Sequence, residues 1–556
     1  MNELFGVNTL ALYTVGSAAV VLALTKARVR LQLSMAKHRS LAGHPRTARR
    51  VAALLPSYQY TEDQAFAIDG APADVVALRK AAFASLVERI QRRYPKSLAA
   101  SAEAAQSLSD LQFISAYRVP FQFRALAAKG LKVGSFVQSS AGVTVTDLDG
   151  NTFFDLTGSY GVNLFGNDFY KQCMDDGIAL VRDLGPVLGA YHPVMLDNIK
   201  RIKQISGMDE VSFHMSGTEA VMQAVRLARY HTGRSKLVRF CGSYHGWWGD
   251  VQPGIGNPVP ARDTFTLTEM GERTLQVLRS RKDIACILIN PLQALHPNAA
   301  APSDGAMLDS SRKAHFDRSA YTEWLKKLRQ ICDERGIALI FDEVFMGFRL
   351  AKGGAQEYFG VRADLVTYGK TLGGGLPIGV VCGKRAWMQR FREDSPADIC
   401  FARGTFNAHP YVMGAMNVFL SRLEDADIAG MYQSLDETWN RRAALLNTRL
   451  TEAGIPVQVA AMSSVWTVLY TMPASFNWLF QHYLRLEGLA LSWVGTGRII
   501  WSLNFTDRDF EEVVQRFVGA GLAMKADGWW WSDGLTTNKT IRRRLLREML
   551  QTKFRL

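Results

Sequence analysis

One stretch limits what this chain can become. Residues 337–377 read IALIFDEVFMGFRLAKGGAQEYFGVRADLVTYGKTLGGGLP. The apolar run Ile337 to Phe341 ends in Asp342 and Glu343, and the run Asp364 to Tyr368 ends in Gly369, Lys370 and three glycines. Short apolar runs bounded by turn residues fit strands buried on both faces of a parallel sheet, where ligands sit beyond the carboxyl ends. An acid at one strand end and a lysine at another therefore point into one crevice.

That pairing suits pyridoxal phosphate. A lysine amine can bond to the cofactor aldehyde, and a carboxylate keeps the pyridine nitrogen protonated so that the ring withdraws electrons. Read from the residues alone, Asp342 could instead cap a helix, and Glu343 could be the working acid.

At 556 residues and 48% hydrophobic content the chain can build a large core and more than one domain. Its six cysteines, Cys173, Cys241, Cys286, Cys332, Cys382 and Cys400, show no C-x-x-C spacing, so they read as reduced, mostly buried thiols, and no metal is expected. The net charge of +14 sits at the ends. Between Lys26 and Arg50 there are eight basic residues and no acid, and between Lys539 and Arg555 seven against Glu548, which leaves +1 for Val51 to Asn538. A near-neutral body with basic ends suits a membrane surface better than nucleic acid, so lipids and not nucleic acid are the expected partners.

The N-terminus supplies a reason for a membrane. Val7 to Thr25 carries no charge and would rise roughly 28 Å as a helix, close to the hydrocarbon thickness. Lys26, Arg28 and Arg30 follow the apolar run, unlike a cleaved signal, so the expectation is a single-pass anchor in the cell membrane with the body on the cytoplasmic side. At the other end Trp529, Trp530 and Trp531 precede a basic helix in which Ile541, Leu545, Met549 and Leu550 share a face opposite Arg543 and Arg547. Either a membrane interface or the enzyme body could take that face.

Between the ends, Asp74 to Arg93 has helical spacing, and Gly142 to Leu156 alternates around the turn Asp149-Gly150-Asn151. Ser216-Gly217-Thr218 opens a helix with apolar face Val221, Val225 and Ala228, before a strand at Leu237 to Phe240. Small residues at a helix start leave backbone N–H groups free for a phosphate, or Ser216 is simply an N-cap.

The order of SGTEA (Ser216 to Ala220), YHG (Tyr244 to Gly246), FDEV (Phe341 to Val344), Gly369-Lys370, GGGLPIG (Gly373 to Gly379) and GTFNAHP (Gly404 to Pro410) resembles the class III aminotransferases over about Leu111 to Asp527. SGTEA and GSYHG are most similar to the glutamate-1-semialdehyde aminomutase branch. The resemblance implies an α/β fold-type-I transferase: a large, mostly parallel sheet domain and a smaller α+β domain, here with a transmembrane helix added. The expected division is an anchor (1–25), a basic juxtamembrane and helical spacer (26–110), the first segment of a small domain (111–190), the cofactor-binding domain (191–410), the rest of the small domain (411–527) and a basic tail (528–556).

It also implies roles. Lys370 would be the Schiff-base lysine and proton carrier, Asp342 the partner of the pyridine nitrogen, Val344 and Tyr244 the two walls of the ring, and Ser216, Gly217 and Thr218 the phosphate loop. His245 would be scaffold beside Tyr244. Thr405 would reach the phosphate of a neighbouring subunit, so a homodimer is expected. Three positions depart from the family's pattern and blur the substrate. Asn290-Pro291 stands where an acid and proline are usual, Arg403 stands two residues before Thr405, and Arg124 is spaced irregularly from the branch's carboxylate-binding arginine. Tyr160, Trp247 and Trp248 add aromatic surface near the pocket or pack in the core. The expected activity moves an amino group from a small-molecule donor to an aldehyde or ketone acceptor, hydrophobic or lipid-like, in a biosynthetic pathway; an aminomutase, or a non-catalytic membrane scaffold on the same fold, is the alternative.

Overall fold

The computed structural model describes residues 2–38, 41, 44–112, 119–131, 136–252, 254–257, 259, 261–298, 308–491 and 497–554, with side chains from Tyr13 onward. The Pro/Ala/Ser-rich run singled out before Ala314 lies largely outside them, at 299–307.

Seven strands form the central sheet: β1 (Glu210–His214), β2 (Lys236–Phe240), β3 (Thr264–Leu267), β4 (Ile284–Ile289), β5 (Ala338–Asp342), β6 (Leu365–Gly369) and β7 (Gly379–Gly383). They lie in the order β1-β7-β6-β5-β4-β2-β3. Only β7 runs against its neighbours. Every residue of β4, β5, β6 and β7 is buried, as expected for strands covered on both faces by crossover helices. The helix Gly217–Thr232 connects β1 to β2, and Arg318–Arg335 leads into β5. Asp317 opens the latter by accepting the Ala320 N–H at 2.9 Å, and Gly336 closes it at φ +57°. Register then assembles the crevice. Asp342 pairs with Thr367, and Gly379 pairs with both Gly369 and His214, so the ends of β1, β5 and β6 meet the start of β7.

A four-stranded sheet stands beside this layer. The hairpin Thr144–Asp147 and Thr152–Asp155 is tied at its turn by Asp147 Oδ1, which accepts the Asn151 N–H at 2.9 Å, and Leu489–Ala490 adds a parallel strand from far along the chain. That pairing joins 137–155 to the C-terminal part. A three-stranded sheet of Val457–Met462, Val465–Tyr470 and Arg498–Ile500 completes the α+β portion. All six cysteines are buried, and none forms a disulfide among the described residues.

The N-terminal end departs from expectation, and the C-terminal end takes the second of its two readings, the enzyme body. The first helix runs unbroken from Asn2 to Ala36, but among the described residues no helix is long and apolar enough to cross a membrane. The spanning helix is therefore withdrawn. The far end of this helix docks on the sheet edge, where Ala36 O accepts the Thr268 N–H at 2.8 Å.

The C-terminal tryptophans are core residues. Trp529 is fully buried against Phe66 and Phe476, and its indole N–H donates to the Tyr483 hydroxyl at 2.7 Å; Trp530 donates to Asn477 Oδ1 at 3.0 Å. Satisfied, buried indoles do not serve a lipid interface. The helix Asn538–Phe554 folds back on the body through buried Ile541. Glu548 accepts from the hydroxyls of Tyr58 and Tyr60 at 2.9 and 2.7 Å, and Arg544 donates to Ile68 O at 2.6 Å. The helical spacer shares that core. Arg79 on Ala73–Arg93 is buried, pairs twice with Asp69 at 2.7 and 2.8 Å and donates to Gly528 O at 2.9 Å.

Candidate active site

Lys370 leaves β6 at φ +47°, a left-handed bend that a side chain adopts at a cost. The bend turns its amine back over the sheet end. Nζ donates to Tyr160 O at 2.6 Å and lies 4.5 Å from the centre of the Phe345 ring. Gly161, at φ +100°, makes room: a Cβ there would stand 2.6 Å from Phe345 and 3.3 Å from the lysine Cδ. Loss of solvent, then repulsion from Arg349 and Arg498, brings the amine down to about 7, with Asp342 pulling the other way. A neutral lysine amine at ordinary pH is a nucleophile and a base.

Asp342 ends β5 beneath it. Its carboxylate meets His245 Nδ1 at 2.7 Å and accepts the Val344 N–H at 3.2 Å. His245 is 1% exposed, and burial holds its pKa below the usual range. The neutral ring therefore donates Nδ1–H to Asp342, as the carboxylate can only accept. Scaffold is the part His245 plays here, fastened to the acid.

Glycines set the spacing around these groups. A Cβ on Gly217 would come 2.5 Å from Val344 Cγ1, and one on Gly369 would come 3.1 Å from the same atom. Gly379 would collide with Ser216 O, and Gly246 with Thr218 Oγ1 at 2.5 Å. Val344, the start of the helix Gly217–Thr232 and the ends of β6 and β7 thus close on one another without side chains between them. Ser216 is the N-cap of that helix, accepting the Glu219 N–H at 3.3 Å. The helix start, with its exposed backbone donors, sits beside the lysine and the acid.

Tyr244 presents 61% of its surface, and burial of its remainder followed by Asp342 raises its phenol pKa. Asn290, at the end of β4, donates to Tyr244 O at 2.9 Å and accepts the Leu292 N–H at 3.1 Å. The amide that replaces an acid here holds the tyrosine loop. Tyr160, at φ +57°, takes part through its carbonyl. Trp248 packs into the core, but Trp247 is 75% exposed and lies outside it.

The other expected residues lie elsewhere in the protomer. Thr405 and Arg403 are exposed, with Arg403 beside Gly189. Arg124 opens the short helix Arg124–Ala128 after the Phe123 to Trp478 contact. Arg349 and Arg498 are arginines that act on the charge of Lys370. Arg349 is fully buried, donating to Trp501 O at 2.8 Å and Asn163 O at 2.9 Å. Its signal was a lone cation inside the apolar run FMGFRL, as Arg498's was a cation opening the strand RII.

Residues 126–251 and 313–520 match the family described as aminotransferase class III. The chain belongs to the class III aminotransferases. It is 31% identical over 409 residues to a glutamate-1-semialdehyde 2,1-aminomutase of Alkaliphilus oremlandii, covering 68% of this chain and 89% of that one. Among solved structures it resembles a transaminase with pyridoxal phosphate bound, at 26% identity and a TM-score of 0.58, over 72% of this chain and 97% of that one. A glutamate-1-semialdehyde aminomutase of Pseudomonas aeruginosa in complex with pyridoxamine phosphate shares the fold at a TM-score of 0.64 and 18% identity, over 80% and 98% of the two chains. Class III aminotransferases are pyridoxal-phosphate enzymes. The site fits that cofactor: glycines let the backbone close so that a buried, partnered carboxylate, a lysine amine held near neutrality and the start of the helix Gly217–Thr232 come together.

Proposed function

We propose that this class III aminotransferase moves an amino group between a small-molecule amine and an aldehyde or ketone, with Lys370 as the reactive amine. The observation that carries this reading is the lysine itself, bent over the sheet end at φ +47° and desolvated until its amine falls to about 7. Pyridoxal phosphate, when bound, supplies the electron sink that lets a carbon beside nitrogen lose its proton. The chain supplies the rest. Lys370 Nζ would hold the cofactor by its aldehyde, and as a neutral amine it would carry the proton away from and back to carbon. Asp342 would hold positive charge on the ring nitrogen, its carboxylate fixed by His245 Nδ1–H. Val344 and Tyr244 would wall the ring. The N–H groups of Gly217 and Thr218, at the helix start that Ser216 caps, would hold the phosphate. Exposed Thr405 is assigned to the phosphate of a second subunit, which makes the working unit a homodimer.

The lipid-like acceptor loses its premise with the spanning helix. An aminomutase is the second reading, favoured by the 31% identity to curated enzymes of that name. Starting from the pyridoxamine form with one amino-aldehyde separates the two, since only a mutase completes its cycle without a second substrate. The central test is the visible spectrum. Purified protein is expected to be yellow, and Lys370→Ala to lose the lysine-dependent band and at least about 10⁴-fold of the amino-transfer rate. An unchanged spectrum in Lys370→Ala would overturn the assignment.

A further inference from the structure

The helix Asn538–Phe554 spends one face on the enzyme body and leaves the other uncovered. Ile541, Arg544 and Glu548 face inward, where Glu548, the one acid of the helix, accepts from Tyr58 and Tyr60 and lies 3.7 Å from Arg544. The outward face carries the cations Lys539, Arg542, Arg543, Arg547 and Lys553, all exposed. Leu546, Leu550 and Phe554 run through them four residues apart, so they share that face, 57%, 48% and 65% exposed. Asp309, itself buried, holds Arg542 at 3.0 Å. Among the described residues Lys539, Arg543, Arg547 and Lys553 form no ion pair. An open cleft of about 490 Å³ carries the charge on to the body, with Ser310, Ser311 and exposed Lys313 on one wall and Lys539, Arg542 and Arg543 on the other. Asn538 ties the walls together, its Oδ1 accepting the Ser310 N–H at 2.9 Å. The other basic end of the chain comes to the same helix. Just ahead of Tyr58, which donates to Glu548, the helix Pro45–Leu54 carries exposed Arg46 and Arg50 and finishes at exposed Leu54 and Leu55.

A surface of this charge suits a nucleic acid or an anionic bilayer. Contacts to a nucleic-acid backbone use cations and hydrogen-bond donors and have no use for three large apolar side chains set among them, whereas a bilayer interface takes both. We propose that the outward face of the helix Asn538–Phe554, with the cleft beside it, is a peripheral docking surface for a membrane rich in anionic phospholipid. The cleft receives a headgroup phosphate, and Leu546, Leu550 and Phe554 enter the boundary of the acyl chains. Such a contact lies on the bilayer surface and needs no spanning helix, and it is independent of the reading of Lys370.

The test uses the full chain loaded with its cofactor, sedimented with vesicles of phosphatidylcholine alone or of phosphatidylcholine and phosphatidylserine in equal parts. The wild type is expected to bind the charged vesicles at least about tenfold more tightly than the neutral ones, by a ratio that shrinks as salt rises. Lys539→Gln, Arg543→Gln and Arg547→Gln made together should remove at least about tenfold of the affinity for charged vesicles, since each cation near such a surface is worth about fivefold. Leu546→Ala, Leu550→Ala and Phe554→Ala made together should weaken it by a similar factor of about ten, which a contact of charges alone would not. All six side chains are exposed and lie outside the candidate active site, so both variants should keep the wild-type amino-transfer rate without vesicles, which serves as the check on folding. Equal binding of the two vesicle types by the wild type, or charged-vesicle binding unchanged in the glutamine variant, would overturn the proposal. Unchanged vesicle binding by the alanine variant, together with tighter binding of duplex DNA than of charged vesicles, would make the face a nucleic-acid surface and overturn the bilayer.

Discussion

Asp342 and Arg498 both act on Lys370, one from the end of β5 and one from the strand Arg498–Ile500, and they are built differently. The carboxylate is surrounded by donors: His245 Nδ1 at 2.7 Å, Val344 N at 3.2 Å and Thr367 Oγ1 at 3.4 Å. Among the described residues the guanidinium has a single neutral acceptor, His296 Nε2, and it shares its surroundings with Arg312. A charge with its partners in place costs less to bury than one with few. Asp342→Asn should show the first property most strongly. It keeps the shape but removes the charge, and it sets an amide against His245. We expect amino transfer to fall about 10²–10³-fold, measured as kcat/KM with cofactor saturating. A loss of tenfold or less would mean that Asp342 is not the partner of the ring nitrogen.

Stability should separate the two sides with opposite signs. On the frame side, Gly217→Ala drives a methyl group to 2.5 Å from Val344 Cγ1, an overpacking expected to cost about 1–3 kcal/mol in urea unfolding. Val344→Ala should return part of that loss, because the clash is between those two side chains. On the arginine side, Arg312→Gln removes one of two like charges with no acid between them. The ligand-free protein is then expected to be unchanged or more stable by up to about 1 kcal/mol. Destabilisation by Arg312→Gln as large as that by Gly217→Ala would erase the distinction.

The frame was legible in the sequence because strand ends announce themselves. Apolar runs stopping at Asp342 and at Gly369-Lys370 placed both groups at the sheet edge, and the pairing of Asp342 with Thr367 shows why they meet. Ser216, Gly217 and Thr218 were readable for the same reason, as small residues at a helix start following a strand. Arg349, Arg498, Arg312 and His296 were not. They come from four separate stretches, and it is tertiary packing, such as that of Gly158 on Ile500, that brings the strand of Arg498 toward the lysine. The two ends misled in another way. Composition cannot tell a tryptophan that faces lipid from one that fills a core, and Trp529 fills a core because Phe66, Phe476 and Tyr483 surround it. Nor does an uncharged stretch guarantee a span, because crossing hydrocarbon needs sustained apolarity and not merely the absence of charge.

The finest reading of the comparison is the pH at which Lys370 becomes reactive. Its amine must be neutral to bond, and burial with the two arginines has lowered it from 10.5 to about 7. The rate at which apoenzyme captures pyridoxal phosphate should therefore rise about tenfold per unit below that value and level above it. The linkage has a definite sign. Between about 7 and 10.5 the unfolded chain binds more protons at this site than the folded one, so this lysine makes apoprotein stability increase with pH across that window. Its penalty is full below the window and gone above it. Arg498 depresses the amine and Asp342 raises it, so the capture midpoint should move up in Arg498→Gln and down in Asp342→Asn, each by less than about one unit. Stopped-flow absorbance across pH 5 to 9 would resolve shifts of that size, and movement of both variants in the same direction would show that the two groups do not oppose each other at Lys370.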